Sequence, residues 1–353
     1  MSTSQRGRVS VIIPARNEEA NIARVLKSLA GQEGIQEILV VDDQSTDRTA
    51  EILAALAKEM PLLRILRVDS LPEGWMGKTH ALTQAARVAV GEWLLFTDAD
   101  TEHFPGSLPE LLERAERAGA DLLSVSPGQE TRTWWEKSVI PLVYVHLASL
   151  FRFADVSDPQ SPAAAANGQY LLVRRSAYER SGGQGAVKAA VLEDVELARS
   201  IKAAGGKLLF LPGASWVQTR MYGTFAAMWQ GWTKNLYLLY GGKTSAMIKA
   251  AAWLELGDVL PVLAFVAMGF WVGVARGGAV ATLLAVGWFG WALARQWRYG
   301  RALGKLGYDP AVANYLPIGA ALLGALLLNS LRVHRTGGKI EWKGRRYATK
   351  GME

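Results

Sequence analysis

Short apolar runs alternate with amphipathic segments through residues 1–215. The runs have the length and the Val, Ile and Leu content of buried strands, at 9–15, 37–43, 64–68, 92–100, 121–126, 168–175 and 207–211. Between them lie five predicted helices: over 20–30, where apolar residues recur at helical spacing, from the candidate caps at 45–47 to about 59, and over roughly 79–90, 107–118 and 193–204. This alternation predicts an α/β fold whose mostly parallel sheet is covered by helices on both faces.

A different pattern follows in residues 216–252. Large apolar residues recur three or four positions apart within 219–240, at Phe225, Trp229, Trp232, Leu236 and Leu239. An amphipathic helix so rich in aromatic residues is typical of a membrane interface, although a helix that packs on the first domain has the same pattern. The apolar stretch 137–153 is too short for an ordinary span and also suits an interfacial helix.

Residues 253–331 contain three long apolar stretches, at about 254–275, 278–294 and 313–331. The first is long enough to span a bilayer, the second is short, and the third is interrupted by Pro317. They predict transmembrane or re-entrant helices, with buried helices of a soluble domain as the alternative. We expect two crossings, and then either a re-entrant Pro317 segment or a crossing by another stretch.

The distribution of charge supports a membrane partner. The formal net charge is +7, and the tail 332–353 holds seven Lys or Arg against two Glu. A basic tail fits anionic lipid headgroups better than nucleic acid, which is bound by a basic folded surface. The basic segment 295–309 is expected in the cytosol by the positive-inside rule. There are no cysteines, which excludes disulfides and thiolate metal sites.

Acidic residues follow two of the predicted strands. Asp42 and Asp43 end one, and Asp98 and Asp100 end another. The carboxyl ends of parallel strands meet at one edge of a sheet, which is where ligands bind in such folds. Mg²⁺ and Mn²⁺ prefer oxygen ligands and commonly take one or two carboxylates plus substrate phosphates. A solvated turn is the alternative for an isolated Asp-x-Asp.

Four segments in this order resemble the family 2 glycosyltransferases, which have the GT-A fold. They are "SVIIPARNEE", "VVDDQSTDRT", "DAD" and "LEDVELARSIKAAG", within a resemblance over roughly residues 8–240. Members of that family transfer a sugar from a nucleotide-activated donor, usually with inversion and with a divalent metal. The resemblance therefore implies a GT-A catalytic domain over 1–215 and an enzyme that binds Mg²⁺ or Mn²⁺.

The resemblance also implies roles for individual residues. The positions that match donor-binding residues of the family are Pro14, Arg16, Glu18, Asp42, Asp43 and Asp98. Asp98 and Asp100 match the metal and diphosphate motif, and Glu102 stands where some lipid-directed relatives have a third ligand. Lys78 precedes a predicted helix and is either a contact to the donor diphosphate or a surface lysine.

Catalytic roles fall on residues nearer the end of the resemblance. Asp194 matches the catalytic base, with Glu193 beside it, although acids at a helix N-terminus are also favoured by the helix dipole. Processive relatives carry Gln-x-x-Arg-Trp where this chain has Gln218-Thr219-Arg220-Met221-Tyr222. The missing tryptophan puts processivity in doubt, while Arg220 remains a candidate to stabilise the departing diphosphate.

The function expected is transfer of one sugar, from a UDP-sugar, to the hydroxyl of a membrane lipid at the cytoplasmic face of a bacterial inner membrane. "GWMGK" and "GWTKN" resemble bacterial enzymes that glycosylate carotenoids, hopanoids or related lipids. The alternatives are a processive polysaccharide synthase and a membrane scaffold that binds a nucleotide sugar without turnover. A nucleotidyltransferase is disfavoured, because "PARNEE" stands where it needs a glycine-rich loop.

Overall fold

The computed structural model describes residues 8–274, 278–342 and 345–348. It divides into two compact units, described separately below. The first unit holds residues 8–130 and 151–221, and the second holds 131–150 and the described residues from 222 onward. Parts of the predicted segments lie outside the described residues, namely 1–7, 275–277, 343–344 and 349–353.

The first unit is built on strands that alternate with helices. In chain order its strands are β1 Val9–Ala15, β2 Ile35–Asp42, β3 Leu63–Arg67, β4 Trp93–Phe96, β5 Thr101–His103, β6 Leu122–Ser126, β7 Gly128–Gln129, β8 Leu171–Arg174, β9 Leu208–Pro212 and β10 Val217–Thr219. Seven of them form one sheet in the order β3-β2-β1-β4-β8-β6-β9. All its pairings are parallel except those of β8, which runs against β4 and β6. The prediction of a mostly parallel sheet is confirmed.

The helices of the chain up to Met221 are α1 Ile22–Ala30, α2 Thr49–Leu56, α3 Gly77–Val88, α4 Ser107–Ala118, α5 Trp134–Leu150, α6 Phe153–Ser157, α7 Arg175–Arg180, α8 Gly183–Ala186 and α9 Glu193–Ala203, of which α5 belongs to the second unit. Two apolar clusters pack on the central strands, one with Val9, Val11, Ile13 and Ala15 of β1 and the other with Ile12. Both faces of the seven-stranded sheet are therefore buried, which explains why its strands are nearly continuous apolar runs in the sequence. The spacing in 20–30 is confirmed by α1, which buries Ile22, Val25, Leu26 and Leu29.

A second, three-stranded sheet has the order β5-β10-β7. β10 runs antiparallel to β5, and Gln218 lies opposite Glu102. Strands of two or three residues are too short to show a periodic pattern, so the sequence did not indicate this sheet. It brings the segment around Arg220 to the strand that follows the Asp-x-Asp turn.

The second unit is helical. After α5 it contains α10 Phe225–Leu239, α11 Thr244–Leu254, a π-helical turn Glu255–Val259, α12 Leu260–Val274, α13 Ala279–Lys305, a 3₁₀ turn Pro310–Tyr315, α14 Leu316–Arg335, and the strands β11 Lys339–Trp342 and β12 Arg345–Ala348. Of the residues described, Thr244–Val274 and Pro310–Arg335 are helical stretches long and apolar enough to cross a membrane. These correspond to the first and third predicted apolar stretches.

The aromatic stripe of α10 is divided between interior and surface. Trp232 and Leu236 are buried, and the Trp232 ring lies 6.2 Å from that of Tyr144 on α5. Phe225 remains exposed and Trp229 partly so. Part of the stripe that suggested an interfacial helix therefore forms the interior of the second unit.

Candidate active site

The predicted site residues lie where three neighbouring strands end. Pro14 is near the end of β1, Asp42 ends β2, and Asp98 follows β4, and these strands are adjacent in the order β2-β1-β4. Parallel strands have their carboxyl ends at one edge, so their loops converge there. The first unit therefore gathers acidic residues that are far apart in sequence.

One pocket contains five of the predicted residues. It is lined by Pro14, Lys78, Leu82, Phe96, Thr97, Asp98, Gly168, Leu171, Gln184, Glu193 and Asp194. Leu82, Phe96 and Leu171 supply apolar side chains to the lining, and the charged groups come from α3, the turn after β4 and the start of α9. The pocket joins the first residue of the Asp-x-Asp motif to the candidate base.

Lys78 links the two sides of this pocket. Its Nζ lies 2.7 Å from Asp98 Oδ1 and 2.8 Å from Glu193 Oε1. Burial lowers the pKa of Lys78, but the carboxylates of Asp98, Glu193 and Asp194 outweigh that effect and hold the pKa well above its usual range. The ammonium group is therefore charged throughout the physiological range, and it offsets part of the negative charge collected at this edge.

Asp194 is held by backbone amides at the start of α9. Gly168 N donates to Oδ2 at 2.7 Å and Val195 N donates to Oδ1 at 2.8 Å. Burial and the neighbouring Glu193 raise the pKa of Asp194 to about 6, against the lowering effect of Lys78 and these two amides. A carboxylate with such a pKa is mostly ionised at neutral pH and accepts a proton more readily than an ordinary aspartate, as a general base requires.

Gly168 was not identified from the sequence. A Cβ added there would lie 3.0 Å from Lys78 Nζ and 3.3 Å from Asp194 Oδ2. Glycine therefore allows Lys78 and Asp194 to approach this backbone closely, and its amide orients the candidate base. Within "NGQY" a glycine reads only as a turn residue, so no local signal marked it.

The loops after β1 and β2 are tied to each other. Arg16 Nη1 donates to Asp43 O at 2.7 Å, and Thr46 N donates to Asn17 Oδ1 at 2.8 Å. Asn17 and Gln44 both adopt left-handed backbone conformations, with φ of 54° and 58°. Non-glycine residues seldom hold such angles unless their surroundings enforce them, and here the cross-loop hydrogen bonds do so.

Three predicted donor-binding acids of this region are largely buried. Asp42 Oδ1 accepts from Ser45 N at 3.1 Å, so its carboxylate also shapes the turn. Glu18 Oε2 accepts from Asn21 Nδ2 at 3.0 Å. Asp43 is 5% exposed and continues the β1–β2 pairing through its N–H, which donates to Ala15 O. None of these three acids is among the residues that line the pocket.

The remaining candidates lie around β5. Asp100 O accepts from Arg24 Nη2 at 2.9 Å and from Thr219 Oγ1 at 3.2 Å, which fixes the turn. Glu102 Oε2 accepts from Gln218 Nε2 at 2.9 Å. Arg220 directly follows β10 and therefore lies at the end of this small sheet.

The candidate ligands for a divalent cation are the acidic side chains of and after the Asp-x-Asp motif. No group of three His, Cys, Asp or Glu side chains in the described part of the chain is arranged to hold a metal ion, and Glu102 as a third ligand stays a prediction. Mg²⁺ and Mn²⁺ nevertheless bind through one or two carboxylates when substrate phosphates supply further oxygens. The partly exposed Asp98 and Asp100 fit that requirement.

Residues 10–182 match the family described as glycosyl transferase family 2, across the strands that carry Pro14, Asp42 and Asp98. This segment is a family 2 glycosyltransferase domain.

Two curated relatives are similar to this family 2 glycosyltransferase. It is 31% identical over 243 residues to the 4,4'-diaponeurosporenoate glycosyltransferase of Staphylococcus haemolyticus (strain JCSC1435), an alignment that covers 65% of this chain and 60% of that protein. It is 28% identical over 259 residues to the protein of the same name from Staphylococcus aureus (strain USA300). That alignment covers 72% of this chain and 68% of that protein. The matched segment thus spans less than two thirds of the first relative.

A solved structure supports the fold. The mannosyltransferase from Pyrobaculum calidifontis, in complex with GDP-Man and Mn²⁺, is similar with a TM-score of 0.51 and 18% identity, over 94% of this chain and 87% of that one. The likeness confirms the GT-A type of α/β fold that the motifs implied.

Replacing Gly168 with alanine should slow catalysis without unfolding the glycosyltransferase. The added methyl group moves Lys78 or Asp194 by a few tenths of an ångström, and a severalfold loss of rate is expected, since a misplacement of about 1 Å costs on the order of 10²-fold. Initial rates of sugar transfer measure this effect, with circular dichroism to confirm folding. Gly185→Ala is the matched control, because a Cβ there meets nothing within 4 Å. Equal rates for the two variants would contradict the arrangement described.

Proposed function

We propose that this chain transfers a single sugar from a nucleotide-sugar donor to a carotenoid-type lipid at the cytoplasmic face of a bacterial membrane, with inversion. The observation that carries the proposal is Asp194, a base with a raised pKa that shares one pocket with Asp98 of the Asp-x-Asp motif. Family membership supports sugar transfer, and the names of the two staphylococcal relatives support a carotenoid-type acceptor.

Inversion follows from a single displacement at the sugar. The acceptor oxygen forms a bond to the anomeric carbon as the bond from that carbon to the diphosphate oxygen breaks. Asp194 takes the acceptor's proton, and the nucleoside diphosphate leaves with the bonding electron pair. Lys78 contributes positive charge on the Asp98 side of the pocket, and Arg220 is a second candidate to offset the charge of the leaving group.

The donor side is proposed to bind a UDP-sugar through Pro14, Arg16, Glu18, Asp42 and Asp43. Mn²⁺ or Mg²⁺ would be held by Asp98 and Asp100, and when bound it neutralises negative charge on the diphosphate. The Mn²⁺ in the mannosyltransferase supports a divalent cation, whereas its GDP-Man makes the choice of nucleotide a matter for direct test.

The acceptor is proposed to react through a hydroxyl. The name 4,4'-diaponeurosporenoate denotes a carboxylate, which is ionised at neutral pH and needs no base to become a nucleophile. A hydroxyl does need one, and the amide-held Asp194 supplies it. The two acceptor types therefore place different demands on the same residue.

Asp194→Asn should abolish transfer to a hydroxyl acceptor. Removing a general base costs roughly 10²- to 10⁴-fold in rate. The purified protein would be incubated with Mn²⁺, lipid extract and each of several nucleotide sugars, and lipids one hexose heavier would be detected by mass spectrometry. Glu196→Gln, on the outer surface of α9, is the control. A variant as active as the parent on hydroxyl acceptors would refute the role of Asp194, and unchanged activity on carboxylates alone would identify the other acceptor class.

The rate should depend on the ionisation of Asp194. Because burial and Glu193 raise its pKa to about 6, the base form is present above that pH, and the rate should fall as pH is lowered through about 6. Lys78 lowers the same pKa, so Lys78→Met should move the midpoint to higher pH. The pH profile of kcat/KM, which reports ionisations of the free enzyme, measures both effects, with exposed Lys58→Met as the control. A midpoint that stays in place in Lys78→Met would contradict the electrostatic link.

Asp100→Ala should weaken binding of Mn²⁺ in the presence of UDP. Loss of one of two protein carboxylates removes a direct ligand, and a reduction in affinity of at least about tenfold is expected, since even outer-shell changes cost 10–100-fold. The electron paramagnetic resonance signal of free Mn²⁺ reports binding without any need for turnover. Asp155→Ala, on the surface of α6, should bind as the parent does. Unchanged Mn²⁺ affinity in Asp100→Ala would exclude this residue as a ligand.

A further inference from the structure

We propose that α12 and α13 form one membrane-crossing hairpin and that α14, although apolar enough to cross, does not cross. The chain before the hairpin and the chain after it then stay on the same face of the bilayer. This inference rests on the membrane location in the proposed function and adds to it the identity and the number of the crossings.

The environment of α14 argues against lipid contact along its length. Half of its most apolar stretch is buried within the protein, against 17% for Thr244–Val274. Its Ser330 Oγ donates to Thr233 O of α10 at 2.7 Å and accepts from Tyr237 N at 3.0 Å. Asn329 Nδ2 donates to Thr233 Oγ1 at 3.0 Å. α14 packs against α5, α10 and α11, and is the core helix of the second unit.

The surfaces of α12 and α13 have the opposite character. Pro261 is the one buried residue of α12, and the described residues of α13 include only three buried ones. Large apolar side chains are exposed along both helices, at Leu263, Val266, Phe270, Trp271, Val280, Leu283, Leu284, Val286 and Phe289. A contiguous apolar surface of this extent marks a site of contact with another apolar phase. Because both helices expose apolar side chains, lipid chains are the phase that fits this surface.

The two helices run antiparallel, and α12 continues the helical turns before it, so that segment 254–274 and segment 279–299 form two arms of equal length. Phe265 packs on Phe289 with ring centroids 5.0 Å apart, and Trp291 Nε1 donates to Gly257 O at 2.9 Å. From Leu254 to Val274 the helical rise is about 30 Å, and it is about 30 Å again from Ala279 to Tyr299. The hydrocarbon core of a bilayer is about 30 Å thick. Each arm is therefore long enough for one crossing.

An ion pair marks the base of the hairpin. Arg295 Nε and Nη2 lie 2.7 Å from Asp258 Oδ1 and Oδ2, and the Asp258 side chain is 1% exposed. The Arg295 guanidinium also lies 5.2 Å from the centre of the Trp253 ring. Such pairing allows two charges to enter the edge of the hydrocarbon. The pair therefore lies about 6 Å inside the 30 Å arms that end at Leu254 and Tyr299, within the edge of the hydrocarbon core.

Further residues at this end suit the cytoplasmic interface. Arg298, Arg301 and Lys305 follow Arg295 on α13, and Arg301 lies 4.9 Å from the Trp297 ring centre. Basic residues favour the cytoplasmic side, and tryptophans favour the interface. The base is thus cytoplasmic and the Gly278 end is on the opposite face. Two crossings also leave the basic chain after α14 in the cytoplasm.

The absence of native cysteines allows a direct test by single-cysteine labelling. Gly278→Cys reports the tip, Lys305→Cys and Thr336→Cys bracket α14, and Glu113→Cys on α4 reports the first unit. A membrane-impermeant maleimide is applied to spheroplasts and to inverted vesicles, and SDS-solubilised samples establish that each thiol is reactive. We expect Gly278→Cys to label in spheroplasts only, and the other three to label in inverted vesicles only.

Several outcomes would overturn the proposal. Labelling of Thr336→Cys in spheroplasts would show that α14 crosses. Labelling of Gly278→Cys in inverted vesicles, or only after solubilisation, would show that the hairpin does not cross. Recovery of the protein in the soluble fraction after a carbonate wash would exclude insertion altogether. Labelling does not depend on turnover, so a failure of sugar transfer with the expected labelling would refute the proposed activity and leave the hairpin intact.

Discussion

The catalytic unit depends on balancing the charge of carboxylates gathered at one edge of a sheet. Asp98 comes from the turn after β4, and Glu193 and Asp194 come from the start of α9, so that without a cation their like charges would repel one another. Lys78 supplies that cation through contacts of 2.7 and 2.8 Å to Asp98 and Glu193. Because burial and the charge of Glu193 outweigh this one ammonium group, Asp194 retains a raised pKa, which is the property a general base needs.

The sequence predicted the main sheet because its signals are local and repeated. β4 consists only of Trp, Leu and Phe, while Val, Ile or Leu make up most of β1 and β2, and each of the three strands ends in a loop that bears polar residues. The periodicity of α1 and α9 marked helices that cover the sheet. The resemblance of four ordered motifs then assigned roles to Pro14 and Asp194, which the structure places in one pocket.

Features that depend on approach in space were not predictable from these patterns. Lys78 looked equally like a surface lysine, since nothing adjacent in sequence indicates its two carboxylate partners. Gly168 lies 26 residues from the aspartate that it orients. α14 resembles a membrane helix by composition, and only its packing against three other helices separates it from the exposed α12 and α13.

The titration of the Asp194 carboxyl group, followed by ¹³C NMR in protein labelled at aspartate, tests this account most directly. The signal is assigned by its absence in Asp194→Asn. The account predicts a midpoint near pH 6, because burial and Glu193 outweigh the stabilising charge of Lys78. A midpoint near 4, the value of an ordinary aspartate, would contradict the claim that this pocket holds a base prepared to accept a proton.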